Sequence, residues 1–284
     1  MTSVRTLSDG RQLAYEEYGD PAGTPVFSFH GGLSSRLDAA PADQAARDLG
    51  IRLISPDRPG MGGSTYQPDR TLLDWPQDIT ELADALSIDR FAVMGWSAGG
   101  PYAAVCAAKM SARVTAAALL SSSVPLDKFG TSKGLSTDDR ILLFLTERAP
   151  RLASVIMRLT IADASDSRLY KEVTRSFPPV DRAVLKEETD TTKAVAFVRE
   201  SMLHGTQGCI QDYRIFGASW GFDLEEITAP TFIWEGTEDH TGPPEYREYL
   251  HAHIPNSTIT LVPNEGHLSL LPHHAHEILQ ALIV

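Results

Sequence analysis

Cysteine is scarce. Two occur in 284 residues, Cys106 and Cys209, and neither has CxxC or CxH spacing. A disulfide scaffold or zinc cage needs more sulfur than this, so both thiols read as small buried hydrophobes on helices. Long hydrophobic runs are missing too. No stretch approaches the roughly 18 apolar residues of a membrane span, and Met1 to Arg11 holds no apolar leader segment. A cytoplasmic chain without a membrane partner is therefore expected. Basic charge is also short, with 25 Lys and Arg against 37 Asp and Glu and a formal net charge of -12. That balance argues against nucleic acid and anionic lipid as partners. What is present is ordinary globular material, 42% hydrophobic and 22% charged, enough for a sizeable core. The length suits one large domain, or one domain carrying an insertion.

Short apolar runs alternate with longer helical stretches, which predicts a mostly parallel, doubly wound α/β sheet. Val4–Leu7 and Gln12–Tyr18 flank Asp9-Gly10 as a hairpin. Strands are predicted at Pro25–Phe29, Arg52–Ser55, Phe91–Met94, Val114–Leu120, Thr231–Trp234 and Thr258–Val262. Helices are predicted at Asp38–Leu49, along the Leu72, Trp75, Ile79, Leu82, Leu86 face, at Tyr102–Ala108 and at Ala275–Val284. Thr71 and Asp74 suit a capping box. From 125 to 220 strands vanish, and helix-like segments are broken at Gly130, Gly134, Pro150, Pro178-Pro179, Gly205 and Gly217. The expected organisation is a core of 1–124 and 221–284 with a helical lid, 125–220, inserted between its halves.

Gly95-Trp96-Ser97-Ala98-Gly99 stands where a strand predicts a sharp turn into a helix. Glycines two before and two after a serine clear the space such a turn needs and lift its hydroxyl above the sheet. A serine nucleophile needs a base within hydrogen-bond reach. Of nine histidines, His267 follows a strand end beside Gly266, on the same carboxyl edge as Ser97. His251 and His253 suit a helix C-terminus, while His273, His274 and His276 suit a solvated helix start, a metal site being the alternative. The carboxylate that orients the base is expected at Asp239, with Glu235 and Glu238 as runners-up. Asp57 reads as a loop-fixing residue, hydrogen-bonded or paired locally with Arg58. His30-Gly31-Gly32 and the residue after the nucleophile are expected to supply backbone donors for a developing oxyanion. These are Gly32, with Leu33 as alternative, and Ala98.

Together the runs His30-Gly31-Gly32, Asp57-Arg58-Pro59-Gly60-Met61-Gly62-Gly63-Ser64, Gly95 to Gly100, Gly236-Thr237-Glu238-Asp239 and Gly266-His267 resemble the α/β-hydrolase superfamily. More narrowly, they resemble its lid-bearing bacterial serine esterases. The resemblance spans about 4–124 and 221–284, and Ser97 departs from the dehalogenase and epoxide hydrolase relatives that carry aspartate there. It implies an ester or lactone hydrolase working through an acyl-serine, without metal or organic cofactor. C–C bond hydrolysis of a diketone-like substrate, or a non-catalytic ligand receptor, are its alternatives. Leu142 and Phe144, in an all-apolar run from Ile141 to Leu145, join Leu33, Trp96, Phe216 and Trp220 as candidates for an apolar substrate pocket. A small uncharged molecule is the expected partner, and self-association is left open.

Overall fold

The computed structural model describes residues 2–129, 135–175, 177–187 and 190–283. Strands β1 (Ser3–Thr6) and β2 (Gln12–Gly19) form the antiparallel hairpin, turned at Gly10 with φ +89°. They are followed by β3 (Thr24–Phe29), β4 (Ile51–Pro56), β5 (Phe91–Trp96), β6 (Val114–Leu120), β7 (Thr231–Gly236) and β8 (Ser257–Val262). The sheet order is β1-β2-β4-β3-β5-β6-β7-β8, with β3 to β8 mutually parallel. Parallel strands deliver all their carboxyl ends to one edge. The loops after β3, β5, β7 and β8 therefore meet there, although they lie far apart in sequence.

Alternation along the strands builds two cores. Phe27 and Phe29 join Phe91, Trp75 and Tyr102 on one face, while Val26 joins Leu53, Met94, Ile278 and Leu279 on the other. Each such buried side chain contributes about 1.5–3 kcal/mol relative to exposure. Helices α1 (Asp43–Asp48), α2 (Trp75–Ala85) and α3 (Gly100–Lys109) cross between strands. Reciprocal bonds between Thr71 and Asp74 form the capping box before α2, and Trp75, Ile79 and Leu82 are its buried face. The helix expected over Asp38–Leu49 divides instead. Pro41 lies in a 3-10 segment, Arg36–Ala42, and α-helix begins only at Asp43.

Between β6 and β7 the described residues are helical: α4 (Leu126–Phe129), α5 (Thr137–Arg148), α6 (Pro150–Met157), α7 (Asp166–Arg175), α8 (Pro179–Glu187), α9 (Thr191–Ala194), α10 (Ala196–Glu200) and α11 (Gln207–Gly217). This insertion has its own apolar cluster, including Met157, Leu169, Val198 and Cys209, with Met61 of the core packed into it. Helices α12 (Glu245–His253) and α13 (Leu270–Leu282) complete the sheet's cover. The final helix starts at Leu270, earlier than expected, with a non-helical His274 inside it. Gly130, Gly134 and Val284 lie outside the described residues. Among the described residues no helix is long and apolar enough to cross a membrane.

The insertion is tied to the core through buried charge. Asp212 on α11 bonds Arg58 Nε at 2.8 Å and also pairs with Arg70, and all three side chains are buried. Glu200 on α10 meets Arg36 at 2.8 Å, and Arg36 in turn meets Asp57 at 2.7 Å. Asp57 fixes its loop by hydrogen bonds, accepting the Gly63 amide at 2.9 Å and the Arg36 amide at 2.7 Å, and the expected pairing with Arg58 does not form. Asp57 serves Arg36, whereas Arg58 bonds Asp212 of the insertion and the carbonyls of His30 and Gly31.

Candidate active site

Ser97 sits between β5 and a short helical turn with φ +55°, a left-handed conformation costing a non-glycine residue about 1–3 kcal/mol. The surrounding glycines make that turn feasible. A Cβ on Gly95 would overlap the Gly99 carbonyl, and one on Gly99 would overlap the Phe29 carbonyl. The helix can therefore fold tightly against the strand ends, leaving Ser97 at the floor of a cavity.

His267 is delivered by the loop after β8. Its Nδ1 lies 2.8 Å from Asp239 Oδ2, in the loop after β7. Asp239 Oδ1 accepts from the Thr241 amide at 2.9 Å and the Thr241 hydroxyl at 2.7 Å. A carboxylate can only accept, so Nδ1 carries the imidazole proton and Nε2 keeps its lone pair. Burial works against a charged imidazole, but Asp239 outweighs it through charge and hydrogen bond, with Asp181 and Asp139 adding to it. The His267 pKa is consequently raised above the ordinary 6.5. Burial likewise opposes the Asp239 carboxylate, yet His267 and Thr241 hold its pKa well below the ordinary value. The runners-up fall away. Glu235 is engaged by Arg247 at 2.7 Å, and Glu238 is exposed. Burial pushes the Glu235 carboxyl up to about 7.

The loop after β3 is fixed from behind. The Gly31 amide donates to Asp38 at 2.9 Å, and the Ser34 hydroxyl donates to the same oxygen at 3.0 Å. Arg58 donates to the carbonyls of both His30 and Gly31, the latter at 2.8 Å. His30 is fully buried and accepts the Arg58 amide at Nε2, 3.1 Å away. Burial first, and Arg58 second, keep its pKa well below the ordinary imidazole value. With the carbonyls drawn to Arg58 and the Gly31 amide bound to Asp38, Gly32 is the next amide available. A Cβ on Gly32 would lie 3.4 Å from the Ala98 Cβ, so the two candidate donors are neighbours, and both line the cavity. Burial pushes the Asp38 carboxyl up to about 7.

The cavity holds about 320 Å³. Leu33, Trp96 and Phe216 line it, together with residues the sequence did not single out, among them Leu143, Leu169 and Phe197. Three expected wall residues are elsewhere. Phe144 is 63% exposed, and Leu142 packs within the insertion's apolar cluster, because successive helical residues diverge by about 100° and Leu143 takes the inward position. Trp220 is 2% exposed and stacks on Phe222 in the core beneath the sheet. Trp96 also braces the His267 loop, donating from its indole to the His267 carbonyl at 3.0 Å.

Several residues near the site went unnoticed in the sequence. Asp38, Thr241 and the Asp212–Arg70 pair beside Arg58 are polar residues in loops or on helices, and only the fold brings them to the site. Asp181 is a fourth; its position just after Pro178-Pro179 reads as an ordinary acid in a helix's first turn. His273 Nδ1 lies 3.0 Å and His274 Nε2 3.4 Å from the Glu265 carboxylate. Among the described residues no group of three His, Cys, Asp or Glu side chains is placed to hold a metal ion.

The family model for the alpha/beta hydrolase fold matches residues 24–274. An uncharacterized hydrolase of Bacillus subtilis, YcgS, is 25% identical over 96% of this chain and 95% of its own. A proline iminopeptidase of Xanthomonas citri is 27% identical, covering 97% and 93%. Among solved structures, an esterase from Exiguobacterium antarcticum superposes with a TM-score of 0.71 at 19% identity, over 100% of both chains. The descriptions of these proteins differ, and the likeness to the esterase structure is one of fold. The chain belongs to the alpha/beta hydrolase fold family.

Proposed function

We propose that the protein hydrolyses a carboxylic ester or lactone of a small, largely apolar molecule through an acyl-Ser97 intermediate, the helical insertion acting as a lid over the site. The observation that carries this reading is that a strained Ser97 and a His267 with its Nδ1 engaged by Asp239 open onto one cavity. In the proposed cycle Ser97 Oγ attacks the substrate carbonyl as its proton passes to His267 Nε2. The Gly32 and Ala98 amides hold the oxyanion, each such donor supporting about 10²–10³-fold in rate. The tetrahedral adduct expels the alcohol, which takes the proton from His267. Water, deprotonated by the same imidazole, then releases the acid and restores Ser97.

The lining supports an apolar acyl or alcohol group. Leu143, Ile161, Leu169, Val173 and Phe197 form much of the wall, and burying substrate against them contributes about 25 cal/mol per Å². Asp138, Asp139 and Glu172 also line the cavity and disfavour an anionic substrate. These carboxylates, taken with the iminopeptidase relative, favour a second reading: an aminoacyl substrate whose ammonium faces them. Part of their charge is already matched, since Arg175 pairs with Asp138 and Glu172 at 2.9 and 3.1 Å, which leaves the neutral ester ahead.

A fluorophosphonate probe should label Ser97, and Ser97→Ala should lose labelling together with about 10⁴-fold or more of kcat on a p-nitrophenyl ester while staying folded. Activity within tenfold of wild type in a clean preparation would sink the nucleophile assignment. Turnover of a prolyl anilide above that of butyrate and valerolactone would move the protein to the second reading.

A further inference from the structure

The backbone that carries His267 is gripped by a side chain of the insertion. Asp181, in the first turn of α8, is completely buried. Its Oδ2 accepts the His267 amide at 2.9 Å, and its Oδ1 accepts the amides of Leu268 and Ser269, each at 2.9 Å. Those three amides lead directly into α13, so the carboxylate sits at that helix's positive end. The fit leaves nothing to spare, since a Cβ on Gly266 would overlap the Asp181 carboxylate. Among the described residues no cation pairs with Asp181; backbone amides alone compensate its charge.

We infer that Asp181 is a positioning residue for the base: it fixes the His267 backbone and sets a second buried negative charge beside the imidazole, so the base is complete only when the insertion is seated on the sheet. The inference rests on His267 being the base for Ser97. Among the described residues the other routes from the insertion to His267 are softer. Phe177 stacks on the ring at 6.0 Å, and Asp139 of α5 acts only through charge. The charged groups facing the imidazole are Asp239 and Glu235 from β7 and its loop, the latter paired with Arg247, Asp139 from α5 and Asp181 from α8. The phenols of Tyr213 and Tyr246 share the cavity. Asp181 differs from the others because it adds charge and geometry at once. Forming an imidazolium during the proposed cycle is favoured by its charge, and a shift of about 1 Å in the ring would cost on the order of 10²-fold.

Asp181→Asn keeps the shape but removes the charge and turns an NH₂ toward donating amides. Fluorophosphonate labelling of Ser97 and kcat should fall about 10–100-fold, with KM within about threefold. The acid-side midpoint of the labelling rate, and the His267 imidazole titration followed by NMR, should both drop by about half a unit or more. Asp181→Glu retains the charge but displaces the amides, so the midpoint should stay while the rate falls about tenfold. An unchanged midpoint in Asp181→Asn, or a rate within twofold, would overturn the inference, the first result reducing Asp181 to a structural clamp. Should Asp181→Asn fail to fold, Asp181→Glu decides, and wild-type labelling in that variant would be the refutation. Failure of wild-type Ser97 to label would sink the hydrolase reading itself, and the NMR midpoints would still decide whether Asp181 acts on His267.

Discussion

Replacing Asp239 with Asn tests the geometry of the site more sharply than removing the side chain. Two donors of Thr241, its amide at 2.9 Å and its hydroxyl at 2.7 Å, point at Oδ1. The Asn oxygen is held where the Thr241 amide points, because a flip would turn an NH₂ against that obligate donor and forfeit a hydrogen bond of about 0.5–1.5 kcal/mol. The NH₂ is then forced toward His267 Nδ1, in the place of the oxygen now 2.8 Å away. Nδ1 must accept, the proton moves to Nε2, and the imidazole loses the lone pair that would take the Ser97 proton. We expect kcat on a p-nitrophenyl butyrate to fall roughly 10³–10⁴-fold, about 4–5.5 kcal/mol of barrier. Nitrogen NMR should find the His267 proton moved from Nδ1 to Nε2. Stability follows by linkage. The depressed Asp239 contributes above its ordinary 3.8 and loses that contribution as pH falls, while the raised His267 contributes below its ordinary 6.5 and loses it as pH rises. The melting difference between wild type and Asp239→Asn should therefore peak between those two values and shrink on either side. Activity within tenfold of wild type, or a proton still on Nδ1, would refute the reasoning.

The raised imidazole of His267 places the acid limb of kcat/KM above pH 6.5, because the protonated ring cannot act as base; a profile flat from about pH 5 to 8 in folded protein would exclude a histidine base. At Asp38 one oxygen accepts both the Gly31 amide and the Ser34 hydroxyl, so Asp38→Asn should keep kcat within about tenfold while Asp38→Ala loses about 10²-fold. Equal losses in the two variants would show that charge, and not the loop's hydrogen bonds, is what matters there. Phe216→Asp should cost octanoate esters at least about tenfold relative to acetate, whereas Phe144→Asp, on the exposed side of α5, should leave that ratio unchanged; kcat/KM read beside melting temperature separates pocket loss from instability.

The sheet was legible in the sequence because its determinants are local. Period-two runs, the Asp9-Gly10 turn and the Thr71–Asp74 box each act within a few residues. The same holds for the glycine-flanked Ser97 and for the strand-end loops of Asp239 and His267. What stayed hidden depends on contacts across the chain. Trp220 and Phe216 stand four residues apart with similar surroundings in sequence, yet one stacks in the core and the other faces the cavity. In the run Ile141 to Leu145 hydrophobicity is uniform, so the sequence offers no phase from which to read the inward side. The Asp57–Arg58 pairing failed for a related reason. Both residues lie just past the end of β4, and each found its partner far along the chain, 21 residues away for Asp57 and 154 for Arg58.

Those distant partners give the proposed site its electrostatic shape. Acyl transfer through Ser97 creates an imidazolium at His267 and an oxyanion near Gly32 and Ala98, so the field that helps must be negative at one end and positive at the other. At the histidine end stand Asp239 and, from the insertion, Asp181. Behind the opposite loop stand Arg58 and Arg70 with Asp212 between them, which leaves one net positive charge buried against the carbonyls of His30 and Gly31. Asp38 would offset that charge if ionised, but burial pushes its carboxyl up to about 7 and keeps a share of it neutral. Fixed charges of this kind need no reorganisation when the reaction occurs, and low surrounding dielectric lengthens their reach. Breaking such a buried pair by removing one partner costs about 3–5 kcal/mol, so the arrangement also resists loosening. The insertion supplies one charge to each end, Asp181 to the base and Asp212 to the arginines. On the proposed reading the insertion is thus more than a cover over the substrate: its seating would fix charges at both ends of the field in which Ser97 would react.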